Sequence, residues 1–457
     1  MNDLSTIAAV STPTGTGGVG IVRISGKNAI NIADKVFKAF SGLLLSQSEG
    51  YRAHYGRVYD KQSAVDEAIC VVFRAPKSYT GEDVVEINCH GGMVITRKIL
   101  QIVLNNGAVP ASPGEFTKRA FLNGKLDLSK AESVMTLISA QGEQGANAAY
   151  NMLDGSLSRK ISEVSSALLD SAAHISAWVD YPDEEIEEID YRNLRSTLNT
   201  AKRSITDLLN RFDSGKAITT GVDAVIVGKP NVGKSTLMNL LTGYDRSIVT
   251  DIAGTTRDVV EETINLDGCI LRLSDTAGLH DTGDVVEKIG VDRSRKMIER
   301  ASIIFAVFDS SEPLSKEDYD LIEFCKGRTV LPVINKSDLS LQQIDVKHLI
   351  EIFGDCVEIS AKCGKGYDTL CEKVTAILGT KDFDTTAALI VNERQRLCCE
   401  KAVSALDEAI SAVDSGFTLD AVGICIDDAI SALLELTGQK ASEAVVDEVF
   451  RQFCVGK

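Results

Sequence analysis

The sequence has no apolar run of the roughly 18 to 20 residues that a membrane span requires, and its start, MNDLSTIAAV, lacks a basic segment ahead of an apolar one. These absences argue against a spanning helix and a secretory leader, and the expected location is the cytoplasm. Its 11 cysteines run from Cys70 to Cys454 with only Cys398 and Cys399 adjacent, and no paired CxxC sets stand at metal-site spacing. Reduced thiols are therefore expected. Positive charge is also short: 48 Lys and Arg stand against 65 Asp and Glu, a formal net charge of −17. That balance disfavours a protein that coats nucleic acid by bulk electrostatics, because phosphate binding draws on Lys and Arg displacing counterions. A local exception is Lys118, Arg119, Lys125 and Lys130 in FTKRAFLNGKLDLSK, which read either as a basic patch or as a solvated helix face. The run DEEIEEID, Asp183 to Asp190, reads as an exposed acidic segment that would repel phosphates.

What is present is a globular composition, 44% hydrophobic and 25% charged over 457 residues, enough for two to four domains. Residues 1–120 mix short β-like runs (VGIVRIS, AICVVFRA, DVVEIN) with Gly- and Pro-rich turns such as TGTGGVG and ASPGE, an α+β pattern. Over residues 121–215 the period changes, with Ile161, Val164, Leu168, Ile175 and Trp178 at helical spacings. An α/β pattern occupies residues 216–378, and helical periodicity returns over 379–457 with Val403, Leu406, Ile410 and Val413, then Ile426, Ile430, Leu433 and Leu434, then Val445, Val449, Phe450 and Phe453. Each helical flank has an apolar stripe that something must cover. One helical domain interrupted by an inserted α/β block meets that need; two separate helical domains are the alternative.

The chemistry concentrates in the α/β block. GKPNVGKST, Gly228 to Thr236, follows the strand-like AVIV and opens the helix-like STLMNLL, the context in which GxxxxGK[ST] cradles phosphates. Asn231, Val232 and Gly233 form its turn, Lys234 reaches the terminal phosphates, and the hydroxyl of Ser235, followed by Thr236, is placed to ligate Mg²⁺. NKSD supplies Asn335, Lys336 and Asp338 after TVLPVI. A carboxylate at Asp338 accepts from the guanine N1–H and exocyclic amine, which adenine does not offer. Ser360, Ala361 and Lys362 follow the short strand-like CVEI, where a second guanine-supporting loop belongs, and Asp275, Thr276, Ala277 and Gly278 follow CILRLS, where an aspartate holds Mg²⁺ through water and a glycine N–H meets the γ-phosphate. The order GKS, Thr256, DTAG, NKSD, SAK is that of Ras-like GTPases.

Two features depart from that pattern. The position after DTAG, commonly a water-orienting glutamine, is Leu279, which leaves Asp281, Asp284 and Glu287 as alternative groups to aim water. The switch segment Thr250, Asp251, Ile252, Ala253, Gly254, Thr255 and Thr256 is a compact, glycine-containing turn. Thr256 is the natural second Mg²⁺ ligand, while backbone carbonyls before it, with Asn231, suit a monovalent cation that stabilises transition-state charge. Such a site predicts stimulation by K⁺ over Na⁺.

GKPNVGKST, TDIAGTTRD, DTAGL and NKSD, together with TPTGTGGVGIVRISG, the block PGEFTKRAFLNGKLDL and the terminal FCVGK, resemble the MnmE (TrmE) family of tRNA modification GTPases over essentially the whole chain. The resemblance implies a multi-domain α/β protein: an α+β folate-binding and dimerisation domain of the GcvT-like, tetrahydrofolate-binding type, then a helical domain into which a Ras-like P-loop G domain is inserted. It implies K⁺ held by Asn231, Thr250, Ile252 and Thr255, Mg²⁺ on Ser235 and Thr256, and Glu287 as the residue that positions water. A 5-formyltetrahydrofolate-type cofactor is implied at Arg23, Glu86, Lys125 and Lys457. It further implies a homodimer that works on tRNA with an FAD-dependent MnmG-like partner, as a heterotetramer, to add an aminomethyl or carboxymethylaminomethyl group at C5 of the wobble uridine. No redox motif stands in this chain, so the flavin would be the partner's. Cys454 reads either as a nucleophile toward substrate or as a structural thiol. His280, where relatives commonly have arginine, departs from the family pattern and puts in doubt any loop contact needing a permanent positive charge.

Two rivals share the G motifs. A ribosome-assembly or RNA-binding switch would bind no folate and modify nothing, and a GTP-regulated one-carbon transferase would form product without a flavoprotein.

Overall fold

The structure is a computed structural model that describes residues 5–13, 15–181, 187–244, 261–275 and 297–457. The first half of the acidic run, Asp183 to Ile186, lies outside the described residues. The chain divides into two compact units, Met1–Met135 with Leu433–Lys457, and Thr136–Ala432.

In chain order the first elements are β1 (Ile7–Val10), β2 (Val19–Ser25), α1 (Ala29–Val36), β3 (Phe37–Ala39), β4 (Arg52–Asp60), β5 (Ser63–Phe73) and β6 (Val84–His90). They are followed by α2 (Met93–Asn105), β7 (Val109–Pro110), α3 (Glu115–Leu122) and α4 (Leu128–Ser139). Next come α5 (Glu143–Leu153), α6 (Ser156–Asp180), α7 (Tyr191–Asn210) and α8 (Phe212–Thr219). A second sheet-forming stretch holds β8 (Val222–Val227), α9 (Lys234–Tyr244), β9 (Glu261–Leu266), β10 (Cys269–Asp275), β11 (Ile303–Asp309), α10 (Lys316–Cys325), β12 (Val330–Asn335), α11 (Val346–Phe353), β13 (Val357–Glu358) and α12 (Tyr367–Ile377). Helices α13 (Glu393–Asp414), α14 (Leu419–Thr437) and α15 (Glu443–Arg451) close it.

The first unit is built on a seven-stranded sheet in the order β3-β4-β5-β6-β2-β1-β7. Strand alternation sorts its faces. Val22 and Ile24 on β2, and Val85 and Ile87 on β6, join Ala33 and Val36 of α1 and Ile99 and Val103 of α2 in one core. Arg23 and Glu86, one residue out of phase, fall on the opposite face. The last residues return to this unit: Phe450 of α15 lies against Phe121 of α3 with ring centroids 6.2 Å apart, and the Phe116 N–H donates to the Lys457 backbone oxygen at 3.2 Å.

The basic-patch reading is corrected here for Lys118, Arg119 and Lys125. Arg119 is only 2% exposed and donates to Glu82 at 3.2 Å, to Glu115 at 2.8 Å and to the Ser5 carbonyl at 2.9 Å. Lys118 is paired with Asp447, and Lys125 donates to the Pro76 carbonyl. A buried arginine between two carboxylates stabilises by neutralising them, and removing it strands both. Arg119→Met is therefore expected to destabilise the chain by about 3–5 kcal/mol, read as a lower midpoint in urea unfolding of the purified protein.

In the second unit the sheet order is β13-β12-β11-β8-β10-β9. Every pair is parallel except β9 with β10. Both faces are covered, and the central strands are accordingly near-continuous apolar runs: all of β11 and all of β12 are buried. Helix α7, before this sheet in sequence, packs on α13, after it, with Arg195 bridging to both oxygens of Asp414 at 2.6 and 2.9 Å and Lys202 paired with Asp407. The periodicity over Val403, Leu406, Ile410 and Val413 selects the right helix but not its seam. Over this stretch Ala402, Ala405, Leu406, Ala409 and Ala412 are buried, and Val403, Ile410 and Val413 flank them half-buried. Small side chains let helices approach closely, so a seam of alanines has no strong apolar signal in sequence.

Candidate functional site

In an open parallel sheet, ligands bind beyond the carboxyl ends of the strands, where the strand order reverses. Three of the loops singled out by motif lie at such ends, together with Asp275, the first residue of a fourth. The phosphate loop leaves β8, Asp275 ends β10, Asn335 ends β12, and Ser360 follows β13. Because β8 sits between β10 and β11, the phosphate loop emerges at the middle of this row.

The phosphate loop takes its shape from a few enforced conformations. Asn231 has φ 65° and Gly233 φ 100°. Val232 is 1% exposed and anchors the turn in the core below. Lys234 begins α9, is 7% exposed, and its ammonium donates to the carbonyls of Gly228 at 2.9 Å and Lys229 at 3.0 Å. Ser235 and Thr236 follow on the first turn of α9, both exposed. The amides of a helix N-terminus and a lysine beside them form a ready anion site, and an exposed hydroxyl one residue on suits a hard cation.

Asn335 joins three loops. Its amide nitrogen donates to the Val232 carbonyl at 2.9 Å, and its oxygen accepts from the Ala361 N–H at 2.9 Å. At 3% exposure it serves as a tie between the phosphate loop and the base-recognition loops. Asp338 accepts from the Ser360 hydroxyl at 2.7 Å, and that hydroxyl also receives the Cys363 N–H at 3.3 Å. The Ser360 hydrogen bond is the first cause of a lowered pKa at Asp338, with further help from Lys362 and Lys365. Asp338 is thus kept as an acceptor. SAK, a short motif common by chance, gains its meaning from these two bonds.

A pH experiment follows. Ser360→Ala removes the main group holding the Asp338 carboxyl low, so that carboxyl rises toward its ordinary value of about 3.9. Only the ionised form accepts from guanine N1–H. The affinity of the variant for a fluorescent GDP analogue should fall earlier than that of wild type on acidification, and differ least near neutral pH.

Thr250, Asp251, Ile252, Ala253, Gly254, Thr255 and Thr256, with Thr276, Ala277 and Gly278, lie outside the described residues, as do Leu279, His280, Asp281, Asp284 and Glu287.

A second polar cluster lies in the first unit. Arg23 and Glu86 are direct cross-strand partners between β2 and β6, and their side chains meet at 2.8 Å. The Arg23 guanidinium lies over the rings of Tyr79 and Phe116, 5.7 and 5.5 Å from their centroids, and donates to the Gly456 carbonyl at 3.3 Å. Ser11 donates to the same carbonyl at 3.1 Å. Gly456 has φ 99°, and a Cβ there would stand 2.3 Å from the Val10 carbonyl oxygen, so the close approach requires glycine. Lys457 joins the cluster: burial and the nearby Arg23 charge lower its pKa, against the opposing pull of Glu86. Two cations, a carboxylate and two aromatic rings suit a flat, heteroaromatic anion. Lys125 is at the edge of this unit, its side chain beside Gly81 and its ammonium on the Pro76 carbonyl at 3.1 Å. The Cys454 thiol is exposed, which excludes a buried one, while its carbonyl accepts from the Gly114 N–H at 3.3 Å. Tyr79 and Ser11 carried no signal in the sequence, whereas Phe116 lies inside the PGEFTKRAFLNGKLDL block.

A parallel sheet with a GKS loop and an NKSD loop tied together at its carboxyl edge defines a P-loop GTPase fold. Residues 128–454 match the family described as MnmE helical domain, and residues 6–125 match GTP-binding protein TrmE N-terminus. The chain belongs to the MnmE family of tRNA modification GTPases. It is 42% identical to the tRNA modification GTPase MnmE of Geobacillus thermodenitrificans over 463 residues, covering 100% of both chains. To that of Bacillus subtilis it is 41% identical, covering 99% of this chain and 100% of the relative. Among solved structures, a variant of Era from Aquifex aeolicus bound to GDP and AlF4⁻ is 28% identical over 40% of this chain and 66% of its own, with a TM-score of 0.28. Among the described residues no helix is long and apolar enough to cross a membrane.

Proposed function

We propose that this chain is a GTP hydrolase acting in tRNA modification, and that its task is the addition of an aminomethyl or carboxymethylaminomethyl group to C5 of the wobble uridine together with an FAD-dependent partner. The observation that carries the reading is the join at Asn335, which places a phosphate loop, an acceptor carboxylate at Asp338 and the Ser360 loop in one site. Family membership supplies the tRNA.

In this reading the G domain of residues 216–378 is inserted into a helical domain formed by 121–215 and 379–457, and the packing of α7 on α13 supports it. Ser235 and Thr256 hold Mg²⁺, which neutralises phosphate charge; Asn231, Thr250, Ile252 and Thr255 hold K⁺, and Glu287 aims the water. The exposed Ser235 and left-handed Asn231 fit these assignments. Arg23, Glu86, Lys125 and Lys457 bind a 5-formyltetrahydrofolate-type cofactor through its carboxylates and pterin, with Cys454 near the end of the same tail. The working form is a cytoplasmic homodimer that joins the flavoprotein in a heterotetramer, and hydrolysis drives opening and closing of paired G domains rather than the bond-forming step.

Nucleoside mass spectrometry of tRNA from cells with and without the gene tests the biology: loss of C5-modified wobble uridine is expected, and unchanged nucleosides would overturn it. Hydrolysis assays in K⁺ and Na⁺ test the cation site, which equal rates would rule out.

A further inference from the structure

Lys336 sits in the middle of the base-recognition loop with φ 66°, a left-handed conformation that an L-residue adopts at a cost. That turn sends Asn335 inward, to Val232 and Ala361, and sets Asp338 beside Ser360. Something outside the loop must hold it. Asp309, the last residue of β11, and Ser310 after it do so with three bonds. The Ser310 N–H donates to the Asn335 carbonyl at 2.9 Å, the Ser310 hydroxyl to the Lys336 carbonyl at 3.0 Å, and the Lys336 ammonium donates to Asp309 Oδ2 at 2.5 Å.

Asp309 is itself rigidly placed. It is 6% exposed, and its Oδ1 accepts from the Ser311 N–H at 2.9 Å and the Ser311 hydroxyl at 2.7 Å. Burial pushes this carboxyl up, but Lys336 and Ser311 together outweigh it and hold the pKa below the ordinary value. The connection from β11 to α10 and the first turn of α10 also grip the phosphate loop: Lys229 pairs with Glu312 at 3.0 Å and with Asp318 at 3.2 Å.

We propose that Asp309 is a positioning residue for guanine recognition, acting through Lys336: its buried carboxylate pins the ammonium and so keeps the left-handed turn that presents Asp338 to the base. The inference deepens the GTPase reading and rests on it. The carboxylate side of this ion pair is shielded from water while the Lys336 side chain is 34% exposed, and loss of the pair frees a loop rather than a reacting group.

The test uses the full chain, with fluorescent GDP and IDP analogues and steady-state GTP hydrolysis. Asp309→Asn should weaken GDP binding about tenfold, raise the KM for GTP by a similar factor and leave kcat within about twofold. The loss for IDP should be smaller, because inosine lacks the exocyclic amine that Asp338 receives. In a double-mutant cycle, Asp309→Asn should add little once Lys336→Ala is in place. Wild-type GDP affinity in Asp309→Asn, or a full loss that persists on the Lys336→Ala background, would overturn the proposal. Wild-type protein that binds no guanine nucleotide would instead overturn the GTPase reading. Should Asp309→Asn fail to fold by circular dichroism, Ser311→Ala, which removes the hydroxyl that fixes the Asp309 carboxylate, replaces it, with a loss of about two- to threefold in the same direction expected and unchanged affinity decisive against.

Discussion

Asp338→Asn is expected to weaken GDP and GTP binding on the order of a hundredfold and to create measurable affinity for xanthosine nucleotides. The reasoning is one of hydrogen-bond polarity. The carboxylate of Asp338 has only acceptors to offer, and its Ser360 bond keeps it in that state. Guanine presents two donors on one edge, N1–H and the exocyclic amine, and a carboxylate accepts both. An asparagine in the same place has one acceptor and an NH₂ group that meets the guanine amine donor to donor. Xanthine carries a carbonyl at that position, so the amide pairs with it. The exchange therefore moves specificity rather than abolishing binding, which separates it from a general disruption of the loop. Displacement of a fluorescent GDP analogue by GDP, XDP and ADP measures it. Equal loss for all three would mean that Asp338 does not read the base.

Much of this site could be read from sequence because the chemistry demands particular residues at particular strand ends. Lys234, Asp338 and Ser360 were placed by spacing, and the structure puts their loops along the carboxyl edge of one sheet. Sequence also marked β2, β5, β6, β8, β10 and β12 through their apolar runs. What it did not show is how the loops are tied. The Asn335 bridge spans 103 residues, and neither the pairing of Asp309 with Lys336 nor the burial of Arg119 leaves a local pattern. A charged residue in a basic-looking helix reads as solvated until its carboxylate partners, 37 residues away in the case of Glu82, are brought to it by the sheet. The cluster of Arg23, Glu86 and Lys457 has the same origin. Two members meet by strand register and the third by the return of the tail, so composition and periodicity had nothing to say about it.

Gly233→Ala is the last change with a large expected effect. In GxxxxGK the second glycine stands immediately before the lysine, and the reason for it here is both conformational and steric. Its φ is 100°, which side chains other than hydrogen rarely accept, and a Cβ would lie 2.2 Å from the Asn335 amide nitrogen. Asn335 cannot retreat freely, because its two bonds hold Val232 and Ala361 in a site only 3% exposed. Either the phosphate loop moves outward or Asn335 loses a bond, and the first widens the amide cradle while the second detaches the base loops from it. Backbone strain of about 1–2 kcal/mol adds to about 1–3 kcal/mol for a buried polar group left unpaired, which converts to a loss on the order of a hundredfold or more in nucleotide affinity. Unlike Asp338→Asn, this change should weaken GDP and XDP alike, since it acts on the cradle and not on the base edge. Calorimetric titration of the variant with GDP measures the loss, and binding within a few-fold of wild type would show that the loop has room the structure does not give it.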